Sequence, residues 1–238
     1  MTNIGAIFMH GASNRFLVHL GNVCVDKLLK QLGGADGILL VEEDAEVDAV
    51  VRIINADGSE AEQCGNGLRC VALHLVRSNL VEGNELRIRT LAGVSKCVVH
   101  EERNEVDVGL CVPNVEPVSV PEYPNLMFVN MGNPNAVYWT EEDPLELREK
   151  LGKQISTNPV FANGMNVHFA RRDGQNYATC ASFERGVGET YASGTGGASV
   201  FVTSSAEGPF YVSSVGGTLT FRYNDDGKVV MSGPASYE

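Results

Sequence analysis

The segment Glu60-Ala61-Glu62-Gln63-Cys64-Gly65-Asn66-Gly67-Leu68-Arg69-Cys70-Val71 returns later as Glu189-Thr190-Tyr191-Ala192-Ser193-Gly194-Thr195-Gly196-Gly197-Ala198-Ser199-Val200. The shared pattern is Glu, three residues, Cys or Ser, Gly, Asn or Thr, Gly, two residues, Cys or Ser, Val. Self-similarity of this kind marks a chain built from two units of related design. In the first copy Leu68, Val71, Ala72, Leu75 and Val76 follow the 3.6-residue helical period. Each half therefore has a glycine-started helix, with Cys64 at one helix start and Ser193 at the other.

That arrangement has specific physical consequences. Glycines at a helix start let a ligand approach the backbone, and the unpaired N–H groups there bind an anion. The helix macrodipole favours a thiolate at Cys64, lowering its pKa from the ordinary value of about 8.5; the other cysteines are read as lacking that setting. Two such helices directed at one cleft would hold the α-carboxylate of an amino acid and flank its Cα from opposite faces, as inversion of a stereocentre requires. Taken singly, the signals are weaker. A Gly-x-Gly at a helix start is common, and an isolated cysteine is more often a small buried hydrophobe than a base. Neither copy is a dinucleotide fingerprint, because the third-glycine position holds Cys70 or Ser199. Cys70 is assigned to core packing.

Around these helices the chain reads mostly as short strands with Gly, Asn or Asp nearby: Phe16–Leu20, Gly37–Val41, Ala49–Ile54, Glu85–Thr90, Glu105–Leu110, Gly217–Arg222 and Lys228–Met231. A surface helix is expected at Asp143–Leu151, opened by Asp143-Pro144. Four prolines between Pro113 and Pro124 suit neither helix nor inner strand and mark a linker. The fold class is α+β. The expected domains are 1–115 and 116–238, with the last strand packing back on the first.

Composition narrows the partners. The 238 residues are 43% hydrophobic, enough for a sizeable core, and carry a net charge of −12. No basic patch offsets that charge, which excludes nucleic acid and anionic membrane surfaces as partners and leaves a small polar metabolite. There is no apolar run long enough to span a membrane and no secretory leader pattern, so a cytoplasmic protein is expected. The six scattered cysteines suit a reducing compartment, and no cysteine–histidine spacing suggests zinc.

At these same residues the chain resembles the diaminopimelate epimerase family. Asn55-Ala56-Asp57-Gly58-Ser59-Glu60 followed by Gln63-Cys64-Gly65-Asn66-Gly67 and Arg69-Cys70 is similar to the family's first signature. Met131-Gly132-Asn133-Pro134 resembles its Gly-Asn-Pro-His turn, Asn163-Gly164-Met165-Asn166-Val167 its Asn-x-x-Asn-Val segment, and Glu184-Arg185-Gly186-Val187-Gly188-Glu189-Thr190 the run into its second signature. The resemblance implies two pseudo-symmetric domains, each a barrel-like, mostly antiparallel sheet around a central helix. It implies epimerisation at the α-carbon of an amino acid, LL- to meso-diaminopimelate, in lysine biosynthesis. No pyridoxal phosphate, metal or other cofactor takes part, and a homodimer is suggested. Carried over by position, Cys64 is one catalytic cysteine and Ser193 stands where the second belongs. Asn14, Asn55, Asn133, Asn166, Glu184 and Arg185 would hold the substrate's α-groups and distal end, while Gly65, Asn66, Gly194 and Thr195 would bind carboxylate.

Three places depart from the family pattern: Ser193 for the second cysteine, Asn135 for the histidine of Gly-Asn-Pro-His, and Arg15 beside the retained Asn14. A serine hydroxyl is a far weaker acid than a thiol, and Asn135 cannot exchange a proton as histidine can. Ser193 is read either as an introduced substitution or as divergence, and Asn135 and Arg15 favour divergence. Two alternatives to epimerisation follow: one-cysteine isomerase or dehydratase chemistry on another amino acid, and a non-catalytic amino-acid-binding protein.

Overall fold

Four α-helices occur among the residues described by the computed structural model, 5–116 and 120–238. They are α1 (Val25–Leu29), α2 (Gly65–Arg77), α3 (Pro144–Ser156) and α4 (Gly194–Thr203). The remainder is strands and turns, an α+β composition. By contacts the chain forms two compact units, one running up to Gly109 and taking in Ser232–Glu238, the other Leu110–Met231.

In the first unit Ile7–Gly11 pairs antiparallel with Asn14–Leu20, which runs parallel to Gly37–Glu42 across the α1 crossover. Gly37–Glu42 folds back on Ala49–Asn55, and the short Glu60–Ala61 strand leads into α2. The chain returns as Glu85–Thr90, parallel to Ala49–Asn55, then as the antiparallel strands Gly93–His100 and Glu105–Gly109. The helix α2 packs against Ile7–Gly11, Asn14–Leu20 and Gly37–Glu42 at one end of this run and Glu85–Thr90, Gly93–His100 and Glu105–Gly109 at the other. A sheet that curls round the helix explains why α2 is buried on all sides from Gly65 to Val76, not only along its apolar face. Leu68, Leu73 and Leu75 are wholly buried, each stabilising the unit by ~2 kcal/mol relative to exposure. The polar residues of α2 need partners in the same core. Arg69 Nε donates to the Pro234 carbonyl at 3.1 Å, and His74 Nδ1 lies 3.1 Å from the Tyr237 hydroxyl. The returning C-terminal segment thus supplies partners to two buried side chains, and Ser236–Tyr237 pairs with Ile7–Gly11.

The second unit repeats the same order of pairings. Leu126–Asn130 is antiparallel to Pro134–Trp139, which is parallel to Asn166–Gly174 across α3. Asn166–Gly174 folds back on Tyr177–Glu184, and Gly188–Thr190 leads into α4. Phe210–Ser214 then runs parallel to Tyr177–Glu184 and turns into Gly217–Tyr223. The repeat quoted above is therefore a repeat of topology as well as of sequence. Asp143 caps α3, its carboxylate accepting the Leu145 N–H at 2.8 Å.

The proline-rich stretch is more structured than a linker. Asn114–Glu116 is a strand paired with Leu126–Asn130, and Val120 and Tyr123 are buried in the core with Phe128, Ile155 and Phe169. Residues 117–119 lie outside the described residues. The prolines exclude helix, as expected, yet Pro113 sits just before the strand, where a missing N–H costs nothing.

Candidate functional site

The start of α2 is built from a turn, a cap and two asparagines. In Asn55–Ser59 the Asp57 carboxylate accepts the Ser59 N–H at 2.8 Å and hydroxyl at 2.6 Å, which holds it below the usual carboxylate range. Asn55 Nδ2 donates to Ser59 Oγ at 2.9 Å, so its side chain braces this turn. Cys64 adopts extended backbone as the N-cap of α2, and its Sγ accepts the Gly67 N–H at 3.4 Å. A Cβ at residue 67 would lie 2.8 Å from Leu39 Cδ2, so any larger residue there would push that leucine methyl aside. Asn14 Oδ1 lies 3.9 Å from Cys64 Sγ and accepts Asn66 Nδ2 at 3.3 Å. Its own Nδ2 donates to Asp36 at 2.8 Å, fixing which way the amide faces. Asn14, Cys64 and Asn66 are therefore brought together. The cap bond goes to the N–H of the third helical residue, and the N–H groups of Gly65 and Asn66 stand at the helix end, where such groups can donate to an anion.

Two features of this half were not legible in the motifs. Arg69 is wholly buried behind the turn. Burial lowers its guanidinium to about 10, and its neighbours Cys70 and Cys64 act in the opposite direction. Gly11 makes room for it, since a Cβ there would come 3.0 Å from Arg69 Nη2. The other feature corrects the reading of the cysteines. Cys70, Cys97 and Cys180 are pushed up to about 12 by burial and are inert at neutral pH, but Cys24 is exposed and stands at the N-cap position of the short α1, without a side-chain cap bond. Cys64 is thus not the only cysteine at a helix start.

The start of α4 has the same plan. Ser193 is the N-cap, its Oγ accepting the Gly196 N–H at 3.1 Å. The Ser193 hydroxyl lies near the Glu184 carboxyl, to which Thr190 Oγ1 donates at 3.3 Å. Burial raises the Glu184 pKa, and these two hydroxyls oppose the rise. Asn133 Nδ2 donates to Thr195 Oγ1 at 3.2 Å. Asn166 Oδ1 accepts the Arg185 N–H at 2.9 Å, and Arg185 Nη1 donates to the Asn163 carbonyl at 3.3 Å, leaving an exposed guanidinium over the Gly164 turn. The structure thus joins Ser193 with Glu184, Asn133 with Thr195, and Asn166 with Arg185. Gly194 and Thr195 hold the first two N–H groups of the helix. Among the described residues no three His, Cys, Asp or Glu side chains could hold a metal ion, and no helix is long and apolar enough to cross a membrane.

The sequence pattern of the family described as diaminopimelate epimerase matches residues 28–114 and 127–238. A diaminopimelate epimerase from Carboxydothermus hydrogenoformans is 35% identical, covering 95% of this chain and 94% of its own length. One from Sphingopyxis alaskensis is 32% identical over 96% of this chain and 92% of its own. The chain belongs to the diaminopimelate epimerase family. It is thereby a member of a family of isomerases. Two solved structures share its fold: a hydroxyproline epimerase from Agrobacterium vitis with bound trans-4-hydroxy-L-proline, and a phenazine biosynthesis protein from Bacillus anthracis. The first has a TM-score of 0.72 at 14% identity, covering 98% of this chain and 88% of that one. The second also has a TM-score of 0.72, at 15% identity, covering 100% and 97%. At such identities they speak to the fold alone.

Against the family pattern, two departures look different in the structure than in the sequence. Arg15 does not place a free cation beside Asn14. Its Nε and Nη2 grip both carboxylate oxygens of Glu238 at 2.5 and 2.8 Å, its Nη1 donates to the Gly33 carbonyl at 2.6 Å, and the guanidinium lies 4.2 Å from the Phe8 ring centroid. Asn135, where the family has histidine, does not leave this region without an imidazole. His168 Nε2 lies 3.0 Å from Asn135 Oδ1. That histidine is wholly buried, and burial lowers its pKa to about 3, so it stays neutral. Its distance of 33 residues from Asn135 hid the pair. The parallel register that sets Asn135 opposite Asn166 is what brings His168 near.

Proposed function

We propose that this protein epimerises an amino acid at its α-carbon without a cofactor, that the substrate is diaminopimelate, and that the reaction belongs to lysine biosynthesis in the cytoplasm. The reading rests on family membership together with one local observation: Cys64 caps a glycine-started helix beside Asn14 and Asn66. In this reading Cys64, as thiolate, removes the α-proton, and the buried Arg69 supplies positive charge behind it. The helix-start N–H groups of Gly65, Asn66, Gly194 and Thr195 bind carboxylate, while Asn14, Asn55, Asn133, Asn166 and Arg185 contact the substrate's remaining polar groups.

Ser193 occupies the second acid/base position with its hydroxyl near Glu184. A serine there is a poor proton exchanger, so turnover by this chain is slow compared with a two-cysteine enzyme. The Ser193–Glu184 contact also favours a second reading, in which exchange at Cys64 is not followed by inversion and the chain isomerises or dehydrates another amino acid. The discriminating experiment is incubation with LL-diaminopimelate in deuterated water, followed by proton NMR and chiral chromatography. Loss of the α-proton signal with appearance of the meso form supports epimerisation. Exchange without meso product supports one-cysteine chemistry, and binding without any exchange leaves an amino-acid-binding protein. A homodimer is proposed for the assembly, and light scattering reads it directly.

A further inference from the structure

A directed chain of hydrogen bonds runs from the core of the second unit to the first turn of α4. Asn135 Nδ2 lies 2.8 Å from both the backbone carbonyl oxygen and the side-chain Oδ1 of Asn133. A backbone carbonyl can only accept. The Asn135 amide therefore cannot be turned over, because its oxygen would then face that carbonyl at 2.8 Å with no hydrogen between them. With Nδ2 committed to Asn133, Asn135 Oδ1 is the atom facing His168 Nε2 at 3.0 Å, and it needs a donor. A neutral imidazole carries one hydrogen, which this contact puts on Nε2. Nδ1 is then bare and accepts the Ser182 hydroxyl at 2.9 Å. On the other side Asn133 Oδ1 is used as an acceptor, so its Nδ2 is what donates to Thr195 Oγ1 at 3.2 Å. The hydroxyl hydrogen of Thr195 is then not used toward Asn133 and remains a donor at the helix start. Packing reinforces the chain: a Cβ at Gly196 would come 2.5 Å from His168 Nδ1, so the imidazole lies directly against the first turn of α4.

We infer that His168 is a positioning residue for carboxylate binding at the start of α4, acting through Asn135 to fix the amide of Asn133 and the donor direction of the Thr195 hydroxyl. The inference rests on the proposed role of Gly194 and Thr195 as a carboxylate site. It assigns to His168 a role distinct from proton exchange. A wholly buried imidazole held neutral offers one donor and one acceptor of fixed direction, which a charged or rotating group at the same place would not.

The test uses the full-length protein and two substitutions that split the imidazole. The carboxamide nitrogen of His168→Gln can take the place of Nε2 and keep the bond to Asn135. The shorter His168→Asn can reach only the Nδ1 side. With LL-diaminopimelate as substrate, His168→Asn should raise KM on the order of ten-fold with kcat changed little, the size expected for one misdirected hydrogen bond, and His168→Gln should restore KM. Equal losses of kcat in both variants, without a KM difference, would mean a structural role and overturn the inference. A second readout needs no activity. Long-range proton–nitrogen NMR should find His168 as the neutral Nε2–H tautomer at pH 7, and the Asn133 side-chain amide signals should move in His168→Asn and return in His168→Gln. An Nδ1–H tautomer, or Asn133 signals indifferent to both substitutions, would refute it. A protein that passes this NMR test but leaves diaminopimelate unchanged would refute the proposed substrate alone.

Discussion

Acid should weaken this fold through one residue whose contribution can be isolated. Burial holds His168 at about 3, against an ordinary histidine value of 6.5. Between those values the unfolded chain binds a proton that the folded chain refuses, so the contribution is fully present above pH 6.5 and is lost as pH falls. Each pH unit across that window corresponds to ~1.4 kcal/mol. At pH 5 the loss is therefore about 2 kcal/mol, and near pH 3 about 5 kcal/mol. Both are large against the total stability of a domain. Other groups titrate in the same range. Burial also lowers His19 and His74, which adds to the loss, while the raised Glu184 carboxyl works the other way and stabilises the fold as pH falls. Comparing wild type with His168→Gln removes these shared contributions. Urea unfolding at pH 7.5 and pH 5 should show wild type losing about 2 kcal/mol more than the variant over that interval. Equal losses in the two proteins would refute the argument that a neutral His168 is imposed by the fold.

Four further outcomes follow from particular contacts. Alkylation with iodoacetamide at pH 7.5, mapped by mass spectrometry, should label Cys24 and Cys64 and spare Cys70, Cys97 and Cys180; bound diaminopimelate should protect Cys64 but not Cys24, and protection of neither would contradict the site assignment. Gly196→Ala should lower stability by about 1–3 kcal/mol, because the new Cβ meets His168 Nδ1 at 2.5 Å and Ser193 Cβ at 2.9 Å; an unchanged melting temperature would show that the imidazole is free to move away. His19 is 6% exposed and neither ring nitrogen has a hydrogen-bond partner among the described residues, so His19→Leu should raise stability by about 1 kcal/mol in thermal unfolding, and a loss would mean the ring is satisfied. Ser193→Cys should raise the epimerisation rate of diaminopimelate by about 10²-fold, the low end of what a general acid/base group supplies, and a chiral assay showing no gain would argue against two-base chemistry.

The sequence was most informative where a single local signal carried both structure and position. The repeat located the starts of α2 and α4 because a polar turn, glycines and an apolar run coincide there. The Asp143-Pro144 pair likewise located the start of α3, although the helix continues to Ser156 because Ile155 is drawn into the core beyond the expected end at Leu151. Helix α1 was missed: five residues with no side-chain cap at Cys24 give no period to detect. Strands such as Gly37–Val41, Glu85–Thr90 and Gly217–Arg222 were legible from strand-type runs with turn residues near them, but Ile7–Gly11, Gly93–His100 and most strands of the second unit were not named. The closing of each sheet round its helix came only from the resemblance, since curvature leaves no residue pattern of its own. In the candidate site the sequence named the cap residues and most of the asparagines. What it could not supply were pairs joined only by strand register or by the returning terminus. His168 with Asn135 is one such pair, and Arg15 with Glu238, 223 residues apart, is the other.

Those pairs bear on how the three departures from the family pattern should be understood. Arg15 comes with a carboxylate that receives it bidentately and a phenylalanine ring under it, at positions remote in sequence. Asn135 comes with a buried histidine whose tautomer it requires and a backbone carbonyl that fixes its amide. A substitution made at residue 15 or 135 alone would not have brought such partners with it, so both are accommodated features of this chain. Ser193, by contrast, uses contacts that a cysteine could also use: the Gly196 N–H for the cap, as Cys64 uses that of Gly67, and the Glu184 carboxyl. Exchanging Ser193 for cysteine is therefore a local change in proton chemistry. Exchanging Asn135 for histidine is not the reversal it looks like in sequence, because it would set a second imidazole against His168 in a closed core and remove the group that orients Asn133. Under the proposed function, the catalytic and the binding departures of this half-site are physically separable, one residing in a side-chain proton and the other in the direction of an amide.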